Sequence, residues 1–326
     1  MRLPTLDQLQ RAADVVYRSM QPTPQYSWPV LNARIGTELW LKHENVTPVG
    51  AFKVRGGLVY FRELAASGAK PAGVISATRG NHGQSVAFAA RQAELPVTIV
   101  VPQGNSREKN DAMRALGARL VEHGEDFQAA REHASALADA EGLHMVPSFH
   151  PFLVHGVASY ALELLLAVPD LDVLYVPIGL GSGICGAIAA REALGRTIEI
   201  VGVCSSDAPA YARSFEYKEL VERPVRTQLA DGLACRVPEK SALETIWQHA
   251  ARIVEVTDEE IADAMRLIFA ATHHVAEGAG AAAVAAALKE RSETAGRKVG
   301  AILSGANVDT DIFVRVLRGE PFARPD

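Results

Sequence analysis

Residues 73–102 read GVISATRGNHGQSVAFAARQAELPVTIVVP, and their patterning decides the fold class. Gly73-Val74-Ile75-Ser76-Ala77 is a short apolar run with β-branched residues, which predicts a strand. Gln84 to Glu94 carries apolar residues at helical spacing. Val97-Thr98-Ile99-Val100-Val101 is a second strand, fenced by Pro96 and Pro102. Strands that are apolar throughout need cover on both faces, and a crossover helix supplies it. A parallel α/β unit follows.

The rhythm extends in both directions. Lys109 to Leu116 predicts a helix, Ala118-Arg119-Leu120-Val121 a strand and Phe127 to Glu141 a helix. After Pro147 come a helix at Tyr160 to Leu166, a strand at Leu171 to Ile178, a helix at Ile184 to Leu194 and a strand at Ile198 to Cys204. Glu259 to Ala271 and Ala276 to Lys289 predict helices, and Lys298 to Leu303 a last strand before a short tail. Two α/β units with a substrate cleft between them account for this order. No tandem repeat, low-complexity tract or long linker interrupts it.

The bulk numbers narrow the partners. A chain of 326 residues, 48% hydrophobic, can bury a sizeable core. Its net charge of −5 provides no basic stripe for nucleic acid and no polybasic face for a membrane. Met1 to Asp7 lacks the apolar core of a signal peptide. The most apolar stretch, Ala279 to Leu288, falls short of the ~20 residues that span a bilayer and reads as a buried helix. Cys185, Cys204 and Cys235 are odd in number and widely spaced, predicting neither a disulfide framework nor a zinc site. A cytoplasmic location is the default.

Four turns carry the chemistry. Gly179-Leu180-Gly181-Ser182-Gly183 follows a strand and opens a helix, where backbone N–H groups and the helix dipole attract an anion. A ligand-free tight turn competes, but seldom needs three alternating glycines. The same segment matches the dinucleotide spacing Gly181-x-Gly183-x-x-Gly186, with Asp207 placed for a ribose contact. In Thr47-Pro48-Val49-Gly50-Ala51-Phe52-Lys53-Val54-Arg55-Gly56-Gly57, a lysine follows an aromatic in a turn entering a helix. Partly desolvated, it would lose proton affinity and become an imine-forming nucleophile; alone, a solvated surface lysine explains it better. Ser76-Ala77-Thr78-Arg79-Gly80-Asn81-His82-Gly83-Gln84 forms a nest suited to a carboxylate, with N-capping by Asn81 or Thr78 and a structural His82 as an equal alternative. Leu303-Ser304-Gly305-Ala306-Asn307-Val308-Asp309 ends the last strand, where ligands of open α/β sheets bind, and a plain polar turn competes.

In this order the four turns resemble the fold-type-II pyridoxal-phosphate enzymes, above all the threonine and serine dehydratases and serine racemase. The resemblance runs from Gln21-Pro22-Thr23-Pro24 to the Ser304 turn. It implies two three-layer α/β domains with mostly parallel sheets, like the tryptophan synthase β chain, with the cofactor between them. Residues 45–148 would form a small substrate-carboxylate domain, and 1–44 plus 149–326 a large cofactor domain. It implies Lys53 as the Schiff-base lysine beside Phe52, in the pattern Phe52-Lys53-Val54-Arg55-Gly56. Gly179, Leu180, Gly181, Ser182 and Gly183 would bind the phosphate, Ser304 would face the pyridine nitrogen and Glu277 would lie near the ring. Thr78, Arg79, Gly80, Asn81 and His82 would grip the substrate carboxylate, Asn81 also serving the ring oxygen. Ala230-Asp231-Gly232 matches another family turn. The implied reaction eliminates water and ammonia from L-threonine, L-serine or L-threo-phenylserine, leaving a 2-oxo acid. A homo-oligomer is compatible with it.

Three departures matter. Arg79 stands where the dehydratases have a small residue and serine racemase its opposite-face acid/base. A guanidinium stays protonated, so racemisation is not expected, and Arg79 is assigned to the substrate carboxylate, to stacking on an aromatic side chain, or to solvent. Gly202-Val203-Cys204 lacks the glutamate that begins the cation site of some members, which predicts no divalent-metal requirement. Gly156-Val157-Ala158-Ser159 replaces a Gly-Gln-Gly-Thr loop, and Ala51 replaces a serine. Both changes are expected to make the pocket more apolar and to favour a bulkier substrate such as a β-aryl serine. The competing classes are a nicotinamide-dependent oxidoreductase, a serine racemase, and a silent metabolite binder, against which the intact Lys53 argues.

Overall fold

The computed structural model describes residues 1–322; the last four residues of the expected large domain, 323–326, lie outside the described residues. In chain order the elements are α1 (Leu6–Tyr17), β1 (Gln25–Ser27), α2 (Pro29–Ile35), β2 (Leu39–His43), α3 (Lys53–Ala66), β3 (Val74–Ala77), α4 (Asn81–Gln92) and β4 (Val97–Val101). Then follow α5 (Arg107–Ala115), β5 (Arg119–Glu122), α6 (Phe127–Glu141), β6 (His144–Met145), α7 (Pro151–Ala167), β7 (Val173–Pro177), α8 (Ser182–Ala193) and β8 (Glu199–Ser205). The chain closes with α9 (Ala210–Tyr217), α10 (Lys240–His249), β9 (Arg252–Val256), α11 (Asp258–Thr272), α12 (Gly278–Lys289), β10 (Val299–Leu303) and α13 (Thr310–Leu317).

The strands form two sheets. The larger has the order β1-β2-β10-β7-β8-β9 and the smaller β5-β4-β3-β6. All pairings are parallel except β1 on β2. Strands β3, β4, β7 and β10 are buried along their whole length, as their unbroken apolar runs require. In the large sheet, the connection out of β7 leads away from β10 and towards β8. The neighbouring carboxyl ends of β7 and β10 therefore flank a crevice. Helix α12, nearly all alanine and glycine, is buried from Gly278 to Ala287 against this sheet.

The structure departs from the sequence reading at several points. Helix α7 begins nine residues before the expected Tyr160. His150 caps it, with Nδ1 accepting from Phe152 N at 3.2 Å, and Pro151 opens it. Its residues are buried on all sides, so no amphipathic period marks its start. Gly156 to Ser159 consequently lies inside α7 and is not a loop. A side chain at Gly156 would collide with the Arg55 carbonyl, because α3 and α7 cross backbone to backbone there. The tail also holds a helix, α13. Among the described residues no helix is long and apolar enough to cross a membrane.

A buried ionic network pins α3. Arg55 is fully buried; its Nε and Nη2 donate to Glu44 at 2.7 and 2.9 Å, and Nη1 and Nη2 donate to Glu163 at 2.6 and 2.9 Å. Nη1 also donates to Ser159 Oγ at 2.9 Å. Buried Lys42 reaches Glu163 at 2.5 Å and the Thr23 carbonyl at 2.6 Å. Two cations thus face two carboxylates, with the guanidinium fork filled. Burial would raise Glu163, but Arg55 and Lys42 more than offset it and hold that carboxyl below its ordinary range. Its contribution to stability is therefore complete above about pH 4.3 and is lost as the pH falls through the lower folded value. Arg55→Met leaves Glu44 and Glu163 buried with Lys42 alone, and should lower the unfolding free energy by about 3–5 kcal/mol at pH 7. Urea titration measures this; a loss below about 1 kcal/mol would show that the network does not hold the helix.

Candidate active site

Lys53 is the first residue of α3, and its backbone is held from three sides. Thr47 turns the preceding segment, its hydroxyl donating to the Ala51 carbonyl at 2.8 Å and accepting from Ala51 N at 2.9 Å. Ala51 pairs with Gly305, Phe52 N donates to the Ser304 carbonyl at 3.1 Å, and Ala306 N to the Gly50 carbonyl at 2.8 Å. This short antiparallel patch brings the start of α3 to the end of β10. Ser85 Oγ from α4 donates to the Lys53 carbonyl at 2.6 Å. The Lys53 ammonium lies 4.8 Å from the Phe52 ring centre. Burial lowers its pKa to about 8, with Glu277 pulling the other way, so roughly a tenth of it is a neutral amine at pH 7, far more than for an ordinary lysine.

The turn between β7 and α8 needs its glycines for shape. Gly181 has φ +96°, and a Cβ there would sit 2.7 Å from Ala242 Cβ. A side chain at Gly179 would run into the Gly232 carbonyl. Tyr211 and Tyr160 brace the turn, donating to the Leu180 carbonyl at 2.9 Å and the Gly183 carbonyl at 2.7 Å. The Tyr160 ring also meets Phe52 edge-on at 6.0 Å. No side chain caps α8, so its first N–H groups open onto the cleft.

Opposite stands a polar chain with one direction. Asn307 Nδ2 donates to Asn81 Oδ1 at 2.9 Å, and Asn81 Nδ2 donates to Glu277 Oε1 at 2.5 Å. Glu277 is 2% exposed, and burial raises its carboxyl pKa against the pull of Lys109. Buried His82 has no partner at Nε2 among the described residues; burial and the nearby Lys53 charge lower its pKa to about 3, keeping it neutral.

Ten residues singled out from the sequence line one cleft: Phe52, Lys53, Asn81, Gly179, Leu180, Gly181, Ser182, Gly183, Glu277 and Ser304. Pro177, Gly232, Leu233 and Ala279 complete it and were not foreseen as lining. Thr78, Gly80 and His82 are buried beside it, Thr78 Oγ1 holding the turn by accepting from Gly80 N at 2.9 Å and Gly83 N at 3.1 Å. Arg79 is exposed and has no polar partner among the described residues. Ala51 and Gly156 to Ser159, expected to make the pocket apolar, lie outside its lining. Ser159 instead serves Arg55. Gly186, the last glycine of the dinucleotide spacing, lies inside α8, where an added Cβ would be 3.0 Å from Ala158 N. Helix packing accounts for it. A more voluminous open hollow beside Met1 to Thr5, Pro151, His155 and Ser241 contains none of the four motifs.

The donor set suits a phosphorylated aldehyde. An uncapped helix N-terminus can take the phosphate, a buried amine with a lowered pKa can take the aldehyde, and the Ser304 hydroxyl, making only a long 3.4 Å bond to the Ala279 carbonyl, can meet a ring heteroatom. Among the described residues no cluster of three or more His, Cys, Asp or Glu is placed for a metal ion.

The geometry separates the glycines. A Cβ at Gly183 would meet only ordinary contacts, the nearest at 3.5 Å. Gly183→Ala should therefore match or exceed wild type in cofactor-free stability, by up to ~1 kcal/mol, while Gly181→Ala should lose more than ~1 kcal/mol. Urea unfolding of the two variants checks this, and the reverse order would contradict the turn described here.

The family described as pyridoxal-phosphate dependent enzymes matches residues 16–305. The chain is 32% identical to the L-threonine ammonia-lyase of Thermotoga maritima, over 96% of this chain and 78% of that one. It is 29% identical to the L-threo-3-hydroxyaspartate ammonia-lyase of Saccharomyces cerevisiae, over 98% of each. The structure of maize serine racemase superposes with a TM-score of 0.90 at 25% identity, covering 97% of this chain and 98% of that one. With the cleft, the Lys53 amine and the uncapped α8 turn already in place, the match over most of its length means that this chain belongs to the pyridoxal-phosphate dependent enzymes.

Proposed function

We propose that the protein eliminates water and ammonia from an L-β-hydroxy amino acid, using pyridoxal phosphate held by Lys53. The observation that carries this reading is a buried lysine of lowered pKa facing an uncapped helix N-terminus across one cleft. When bound, the cofactor supplies an electron sink next to the substrate α-carbon. Gly179 to Gly183 would hold its phosphate, Ser304 its ring nitrogen and Asn81 its ring oxygen, with Phe52 and Glu277 beside the ring. The freed Lys53 amine, near pKa 8, suits removal of the α-proton. Thr78, Gly80, Asn81 and His82 would receive the substrate carboxylate, and neutral His82 would avoid a second cation beside Lys53. Ser304 offers a hydroxyl and not a carboxylate, so a ring nitrogen held there would stay unprotonated, a setting that would favour prompt elimination. One water leaves, one enters, and a 2-oxo acid and ammonia result.

The candidate substrates are L-threonine, L-serine, L-threo-phenylserine and, in view of the yeast relative, L-threo-3-hydroxyaspartate. The same reading divides the chain into a small domain of 45–148 and a large one from the remainder, consistent with two sheets that exchange no strands. It places the enzyme in the cytoplasm, which three buried free cysteines suit. Arg79, exposed and unpaired among the described residues, is free to reach a bound substrate.

The test is release of 2-oxo acid and ammonia in equal amounts from these four substrates. Lys53→Ala should fold and lose at least ~10³-fold in kcat; retention of a tenth of the activity, or turnover that needs a nicotinamide, would remove the proposal. Arg79→Ala should raise KM about tenfold, which is ~1.4 kcal/mol, with little change in kcat. An unchanged KM and unchanged substrate preference would assign Arg79 to solvent alone.

A further inference from the structure

The cleft is served by two lysines, and only Lys53 belongs to a motif. Lys109 lies on the first turn of α5, on the small sheet's side, and is buried. Its Nζ is 2.7 Å from Asp231 Oδ2 and 3.3 Å from Glu277 Oε2, both carried by the large sheet's side of the cleft. Lys109 therefore faces the Oε2 atom as an ion-pair partner at 3.3 Å. The stem of Lys109 runs under Gly80, where any side chain would strike its Cδ, and so supports the turn that carries Asn81.

Lys109 is not loosely placed. Ser106 caps α5, accepting from Lys109 N at 3.2 Å and donating to Asp309 Oδ1 at 2.5 Å. Asp309, just ahead of α13, also accepts from Glu108 N at 3.3 Å, while the Glu108 carboxylate accepts from Thr310 N at 2.8 Å. Helices α5 and α13 therefore cap each other across the cleft, each satisfying N–H groups that its own helix cannot.

We propose that Lys109 is a positioning residue that keeps Glu277 ionised, so that the Asn307–Asn81–Glu277 chain holds one direction. This rests on the function proposed above for the cleft. An ionised Glu277 only accepts, which fixes the Asn81 amide as donor and its carbonyl as acceptor from Asn307. A protonated Glu277 also donates, and that direction is lost. The groups facing Glu277 are Lys109 from α5, Asp231 from the 3-10 turn Asp231–Leu233, Lys53 from α3 and the Asn81 amide from α4, with neutral His82 next to Lys53. Burial and Asp231 push Glu277 towards the acid, and Lys109 opposes them. Burial would strip Lys109 of its own proton, yet Asp231 and Glu277 together keep it charged.

The test is a set of three variants in the cofactor-loaded enzyme, with Lys53 read separately in cofactor-free protein. Lys109→Met should move the acid limb of the kcat/KM profile up by ~1 pH unit or more, because the cation that favours the carboxylate is gone. Asp231→Asn should move it down, since a competing negative charge has been removed, and Lys109→Arg should leave it within about 0.3 unit. In cofactor-free protein, competitive acylation of Lys53 followed by mass spectrometry should give a lysine pKa lower by about half a unit in Lys109→Met, because Glu277 no longer raises it. A mere latch would instead weaken all three variants without displacing either quantity. An unmoved acid limb and unmoved Lys53 reactivity in Lys109→Met would overturn the proposal. So would an upward shift in Asp231→Asn, which decides alone if Lys109→Met does not fold. If wild type forms no cofactor band, the function proposed above fails, and the acylation experiment still judges Lys109.

Discussion

The Arg55 guanidinium, enclosed by Glu44 and Glu163 two residues beyond Lys53, is the constraint on which the site depends. An arginine without water must have its donors filled, and here the acceptors come from the turn after β2 and from α7. That requirement joins α3 to the large sheet's side. Lys42 balances the second carboxylate, so the interior carries two charges of each sign. With α3 fixed behind Lys53 and Phe52 tied to Ser304 in front of it, the lysine enters the cleft from a backbone with little freedom. Such rigidity is what an attacking amine needs to meet a small ligand in one orientation.

Electrostatics then separates two lysines in neighbouring surroundings. Lys53 has burial against it and one offsetting carboxylate, and its pKa falls to about 8. Lys109 is equally enclosed, but two carboxylates face it and its pKa rises above the ordinary value. One is suited to chemistry and the other to holding charge. Environments that push like groups apart in this way are a common mark of acid–base assignments in enzymes.

Much of this was legible in the residues. The apolar runs at 74–77, 97–101, 173–177 and 299–303 became wholly buried parallel strands, because a strand covered on both faces has no polar side to show. The four turns at strand ends converged on one cleft, as the crevice beside β7 and β10 requires. What escaped had physical reasons. The 17-residue α7 is buried around most of its circumference and shows no amphipathic period, so only Tyr160 to Leu166 reads as helical in sequence. Ser159 resembled a pocket residue until the structure placed it on Arg55. Lys109 looks in sequence like any lysine of a polar helix, since its two acidic partners lie more than a hundred residues away. The capping boxes at Thr5 and Thr257 were readable signals for the starts of α1 and α11, and only the second helix was foreseen.

The central claim is a covalent attachment at one nitrogen. Purified protein equilibrated with pyridoxal phosphate, reduced with borohydride, digested and mapped by mass spectrometry tests it directly. The account predicts a pyridoxyl-phosphate adduct on the peptide containing Lys53 and none on the peptide containing Lys109. Label absent from Lys53, or distributed over surface lysines at comparable levels, would contradict it.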